Sequence, residues 1–367
     1  MKKFKIIVYP VVCILMVFLT SFQLNKKNTI VEIKGEQFFV NGKPTYEGRV
    51  WKGNKIEGLL INSRMVQGTF DDLNPETRKL FAYPDTKKWD ADRNTKEFVT
   101  AMEEWKKYGL NSFTLNLQGG SPTGYGNKEW VNSAFHPDGK LRPDYMKRLK
   151  KILDKADQLE MVVMLGIFYF GQDQNLDDEK AVINAVKNTV NWILKKGYQN
   201  VLIEVNNESD NKAYDHGILK AERVHELIDM VKDMKHNGKR LLVSTSFNGN
   251  TVPKPNVVKS SDYILIHGNG VSTPEKLEAL IHNTRKVEGY RPIPVVINED
   301  DHYDFDKEKN NFTTAVENYV SWGLFDFRRD GEGYEEGYQS VPVDWGINSE
   351  RKKGFFNLVR EITGVGK

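Results

Sequence analysis

The chain has 367 residues, 28% of them charged and 39% hydrophobic, with a formal net charge of +3. That composition supports a sizeable buried core and excludes a disordered or polytopic chain. Residues 1–25 hold three lysines and no acid, so the remainder is +3 − 3 = 0 and has no electrostatic grip on nucleic acid.

The basic start MKKFK leads into the apolar run IIVYPVVCILMVFLTSF and then polar QLNKKN. Residues 1–25 read as a secretory signal sequence, which predicts export to the periplasm, the cell surface or the medium. An uncleaved anchor is the alternative, and only then is a membrane a partner. The single cysteine, Cys13, lies inside this run, without a lipoprotein box before it. If the segment is removed, no thiol and no disulfide remain. Residues 26–367 read as one domain, with no repeat, linker or low-complexity tract.

The stretch TIVEIKGEQFFVNGKPTYEGR alternates around Asn41-Gly42, which predicts a short hairpin with a type I′ turn. Eight strand-like apolar runs follow. They are GLLINS (58–63), NSFTLNL (111–117), MVVMLGIFYF (161–170), NVLIEVN (200–206), RLLVSTSF (240–247), DYILIHG (262–268), IPVVINE (293–299) and SWGLFDF (321–327). Helical patterns alternate with them, over 95–109, 143–159, 179–197, 218–238 and 273–289. Near-continuous apolar strands imply burial on both faces and a parallel sheet under helices. Eight βα repeats predict an α/β fold of the closed (β/α)8 TIM-barrel type, with long loops after the first and second strands (66–94 and 118–141).

In such a fold chemistry sits at the C-terminal ends of the strands. Glu208 falls just past the fourth strand, in VLIEVNNES, and Glu299 closes the seventh, in PVVINED. Side chains from strands three steps apart can face each other across the opening. Two carboxylates in one site are the minimum machinery of glycoside hydrolysis, one as proton donor and one as nucleophile or base.

Glu204, Asn207 and Glu208, read as E-x-x-N-E, resemble the acid/base motif of clan A of the glycoside hydrolases. A glutamate ending the seventh strand resembles that clan's nucleophile. The resemblance covers residues 35–365 as architecture and these two stretches as motif. It implies a retaining hydrolase of β-type bonds in a poly- or oligosaccharide. Glu208 would be acid/base, Glu299 nucleophile, and Asn207 the partner of the sugar 2-hydroxyl. The pattern is departed from in two places. Ser209 stands where proline is frequent, and Asp300, Asp301 and His302 follow Glu299. An acid beside the nucleophile calls for a compensating cation, for which Arg64 is the candidate.

Asn116, Tyr169, His267 and Trp322, at other strand ends, are the further candidates for binding sugar hydroxyls and C–H faces. Trp105 and Trp192 lie on helices and read as packing, and Glu204 as a support below the site. Lys52, Arg328 and Arg329 could meet an acidic sugar but read better as solvated surface. The expected partner is a carbohydrate substrate, with no nucleic acid, no protein partner evident, and no cofactor or metal. Two alternatives stay open: a carbohydrate-binding barrel without turnover, and a metal-dependent hydrolase or lyase using the Glu299-Asp300-Asp301 run.

Overall fold

The computed structural model describes residues 29–125 and 129–366. The apolar segment near the start, with Cys13, lies outside the described residues. Among those described, no helix is long and apolar enough to cross a membrane.

A three-stranded antiparallel sheet comes first, of β1 (Val31–Lys34), β2 (Gln37–Val40) and β3 (Lys43–Pro44). Asn41 and Gly42 link β2 to β3 with φ of 53° and 80°, the left-handed pair that a two-residue hairpin turn requires. A second small hairpin pairs β4 (Val50–Trp51) with β5 (Asn54–Lys55).

Eight strand–helix units follow. They run β6 (Asn62–Ser63), α1 (Ala91–Lys107), β7 (Ser112–Asn116), α2 (Pro143–Gln158), β8 (Val162–Tyr169), α3 (Glu179–Lys196), β9 (Val201–Asn207) and α4 (Val224–Asp233). Then come β10 (Leu242–Ser244), α5 (Pro255–Ser260), β11 (Ile264–His267), α6 (Pro274–Arg285), β12 (Val295–Glu299), α7 (Asn311–Glu317), β13 (Gly323–Leu324) and α8 (Glu350–Thr363). The local signals are conventional. Asp90 and Asp178 cap α1 and α3 by accepting from the Arg93 and Ala181 backbone N–H groups, and Gly197 closes α3 at φ 83°.

The strands pair in parallel as β10-β9-β8-β7, as β11-β12 and as β13-β6. Single bridges join these groups. Arg64 pairs with Thr114 next to β7, and Val296 and Asp300 pair with Ser321 and Leu324 between β12 and β13. Only between β10 and β11 is there neither ladder nor bridge among the described residues. There Asp262 N–H donates to Val243 O at 2.9 Å, and Asn250 N–H to His267 O at 3.2 Å.

Two apolar layers follow from the pleat. Val162, Met164, Leu202, Leu265 and Val296 meet in one inner cluster, which Val31 and Phe38 of the first sheet cover at the N-terminal ends of the strands. Val163 and Leu165, pointing the other way, pack with Leu149 and Ile152 of α2 in the outer layer.

Several expected elements come out shorter, among them the fifth strand, where of 240–247 only Leu242–Ser244 pair. Of the run 58–63 only Asn62 and Ser63 pair, because Leu60 N–H donates to the Ser321 side chain at 2.8 Å instead of to a neighbouring strand. Of 321–327 only Gly323 and Leu324 are strand. Residues 218–223 are turns and a short 3₁₀ segment, so α4 starts at Val224.

Candidate active site

Glu208 and Glu299 meet at the C-terminal ends of β9 and β12. One carboxylate oxygen of each, with a ring nitrogen of His267, lies within 4.8 Å of the others. The Glu208 backbone turns sharply as it leaves the strand, with φ of 56°. Glu299 arrives by another device. His267 aligns with Glu299 where Ile266 aligns with Ile297, so Asn298 is an extra residue in β12. A bulge of this kind re-aims the following side chain. Asn298 donates inward to Glu204 at 3.4 Å, and Glu299 also faces inward.

The two carboxylates have unequal surroundings. Arg64 Nη1 lies 2.9 Å from Glu299 Oε2, with both residues buried. Gln339 Oε1 accepts from Arg64 Nε at 2.9 Å and fixes the guanidinium. Asn269 Nδ2 donates to Glu299 Oε1 at 2.6 Å. Glu208 has no guanidinium. Its Oε1 is 3.2 Å from His267 Nδ1, and its Oε2 accepts from Asn211 at 3.4 Å. His267 Nδ1 is also 3.7 Å from Glu299 Oε2, so the ring stands between the pair.

Burial works against charge on His267, but Glu299, the bond to Glu208 and nearby Glu204 outweigh it and raise its pKa above the ordinary 6.5. A raised folded value means that protonation stabilises the fold. That stability is present in full below pH 6.5 and is lost as the pH rises through the folded value. His302, raised by its bond to Asp300, acts in the same direction. The melting temperature should therefore fall from pH 6.5 upward, and His267→Gln should flatten that fall. A melting series with the same slope in the variant would contradict the assignment.

Asn207 is buried, and neither polar atom of its side chain has a partner. Asn116 is likewise buried with both amide atoms unpaired, against Gly166 and near Glu204, below the carboxylate pair. Tyr169 accepts from Ser121 Oγ at 2.9 Å and lies under the Arg64 guanidinium, 5.7 Å from ring centre to Cζ.

Trp322 is a correction. It does not line the opening. Its ring is fully buried, stacked on Phe312 of α7 at 4.7 Å, and its Nε1–H donates to Asp300 at 3.0 Å. The aromatic surface beside the pair comes instead from Tyr169, Phe325 and Tyr125. Tyr125 is 56% exposed, packs on Phe325 and donates to Asp301 at 2.5 Å. Arg328 is also accounted for, since it donates to the carbonyls of Gly333, Tyr334 and Pro342 in its own loop.

The acidic run does not act as one cluster. Asp300 faces away from Glu299 and is fully buried, accepting from Asn311, Trp322 and His302. Its oxygens are taken by protein donors. Glu208, His267 and Glu299 have the donor types a divalent cation needs, but the Arg64 guanidinium already occupies the cation position on Glu299 Oε2.

Ser209 also has a local reason. Its N–H donates to Ser246 O at 2.9 Å, and its hydroxyl donates to the same oxygen at 3.0 Å. Proline would remove the first of these bonds. Gln339, Ser246, Asn211 and Tyr125 were not legible as site residues. Of these only Ser246, next to last in the fifth apolar run, occupies a position where strand-end chemistry is expected.

No protein-family model matches the chain, and no curated protein does. Solved structures do match. A protein of Bacteroides vulgatus assigned to the glycoside hydrolases aligns at TM-score 0.54 and 14% identity over 91% of this chain. The chain spans 61% of that protein's length. A β-1,4-D-mannanase of Cryptopygus antarcticus aligns at TM-score 0.51 and 13% identity, over 90% of this chain and 94% of its own. A glycoside hydrolase family 5 mannosidase of Rhizomucor miehei gives TM-score 0.54 and 12% identity, over 92% and 99%. At such identities the likeness establishes a shared α/β fold.

Proposed function

We propose that the protein is an exported retaining glycoside hydrolase, with its eight parallel strands closed into a (β/α)8 barrel and a β-linked poly- or oligosaccharide as substrate. The observation that carries this reading is the Glu208–Glu299 pair, with oxygens within 4.8 Å at the C-terminal strand ends. Carboxyl groups about 5–5.5 Å apart suit direct attack by one of them, whereas inverting enzymes leave room for a water at about 6.5–9.5 Å.

The unequal surroundings support one division of roles. Glu299, bridged to Arg64 and Asn269, is the carboxylate that attacks the anomeric carbon. Glu208, against His267 and Asn211, gives its proton to the departing glycosidic oxygen. A covalent glycosyl ester forms on Glu299. Glu208 then takes a proton from water as that water attacks the anomeric carbon and displaces the Glu299 carboxylate, and the sugar leaves with its original configuration. Buried, unpartnered Asn207 offers an amide to the 2-hydroxyl. The neighbouring β-1,4-D-mannanase and mannosidase and the signal-like start make secreted β-mannan degradation the first case to test.

The test is hydrolysis of β-mannan, β-glucan and their oligosaccharides, followed by proton NMR of the first product. The expected result is the β-anomer, appearing before mutarotation. An α-anomer as first product would overturn the retaining mechanism. Tight binding with no cleavage across the panel would favour a binding-only barrel.

A further inference from the structure

Glu208 is held in place mainly through its backbone. Among the described residues its carboxylate has two hydrogen-bond partners, at 3.2 Å and 3.4 Å. Its backbone lies in the left-handed region at φ 56°, a conformation that a non-glycine residue adopts at a cost and keeps only when its surroundings impose it.

The surroundings that impose it converge on one residue of the neighbouring strand. Ser246, just beyond β10, accepts the Glu208 N–H on its hydroxyl oxygen at 3.0 Å. Its carbonyl accepts both the N–H and the hydroxyl of Ser209. The Ser246 hydroxyl has one hydrogen, which goes to Glu204 Oε1 at 2.5 Å. That leaves its lone pairs for the Glu208 N–H. Glu204 is fully buried one level below, where Asn298 Nδ2 also reaches it. Burial pushes the Glu204 carboxyl up, and His267 and Arg64 pull it back.

We propose that Ser246, with its hydroxyl oriented by Glu204, is a positioning residue that locks the left-handed backbone of Glu208 and so aims that carboxyl at the leaving oxygen. This rests on the reading of Glu208 as acid/base. Ser246 itself is fully buried. Its effect should therefore appear only where protonation of the leaving group matters.

The kinetic test compares Ser246→Ala with wild type on two substrates, an oligosaccharide and a dinitrophenyl glycoside. The second departs without an acid, and kcat/KM reports the first chemical step for both. Ser246→Ala should lose about 100-fold on the oligosaccharide, the scale of a misplaced catalytic group, and little on the activated glycoside. Ser246→Thr keeps the hydroxyl and should recover the loss. Glu204→Gln, which keeps the shape but not the charge, should show the same selective loss to a smaller degree. Equal loss on both substrates, or none, overturns the proposal.

A structural measurement separates this from the proposed activity. Crystal structures of wild type and Ser246→Ala should show Glu208 leaving positive φ and its contact to His267 lengthening. An unmoved Glu208 overturns the clamp whatever the enzyme hydrolyses. An inactive wild type overturns the hydrolase reading and leaves the crystal structures to decide the clamp.

Discussion

A Glu299→Gln enzyme is expected to lose hydrolysis by about four orders of magnitude or more, because an amide cannot form the glycosyl ester. The substitution keeps the shape, but with its single amide oxygen toward Arg64 its NH2 meets Asn269, whose amide must turn to accept. It leaves the buried Arg64 guanidinium, 2.9 Å away, facing a neutral oxygen, so a fall in melting temperature is expected as well, smaller than for deletion of Arg64 because that oxygen still accepts and the Glu204 and Glu208 charges also act on the guanidinium. Activity and fold therefore have to be read together, by turnover of an aryl glycoside and by thermal melting. Near-wild-type turnover would remove the chemical basis of the proposed function.

The same experiment can tell the two glutamates apart. In Glu299→Ala, azide fills the space of the missing carboxylate and attacks from that face, giving a glycosyl azide of inverted configuration. In Glu208→Ala, azide attacks the glycosyl-enzyme from the water side, giving a retained one. The reverse pattern would exchange the roles assigned here to residues 208 and 299.

Much of this site was legible from strand-end positions. Arg64, Glu208, His267 and Glu299 each stand at the end of an apolar run, and the structure brings all four together. A parallel strand buried on both faces has no reason to end in charge unless something at its end uses it. What was not legible depends on which way a side chain points. Trp322 stands at the start of its run and before β13, below the strand ends, and its ring turns outward under α7. The bulge at Asn298 was invisible because Asn298, Glu299 and Asp300 are all polar, so alternation gives no register. Gln339 lies 275 residues from Arg64 in a loop without periodicity. The isolated reading of Asp300 as a threat to the nucleophile failed for the same reason as Trp322, since the two face each other in the outer layer.

Arg64→Met should produce the largest stability loss of any single change at the site. Arg64 is fully buried, and its partner Glu299 is 3% exposed. Neither is screened by solvent, so deleting the cation leaves a carboxylate in the interior without its counter-charge. Removing one partner of such a pair costs about 3–5 kcal/mol, whereas exposed pairs are worth about 1 kcal/mol or less. The chain has many pairs of the exposed kind, such as Lys259 with Glu288 and Lys309 with Glu275, and their loss should hardly register. The prediction is sharpened by the double variant. Arg64→Met with Glu299→Gln removes both charges, so it should be more stable than Arg64→Met alone, although one residue further from wild type. Denaturant titrations of the four proteins give the coupling directly. Losses that simply add, or an Arg64→Met variant within about 1 kcal/mol of wild type, would mean that the guanidinium does not balance the nucleophile in a dry site. The charge assignment on which Glu299 depends would then fail.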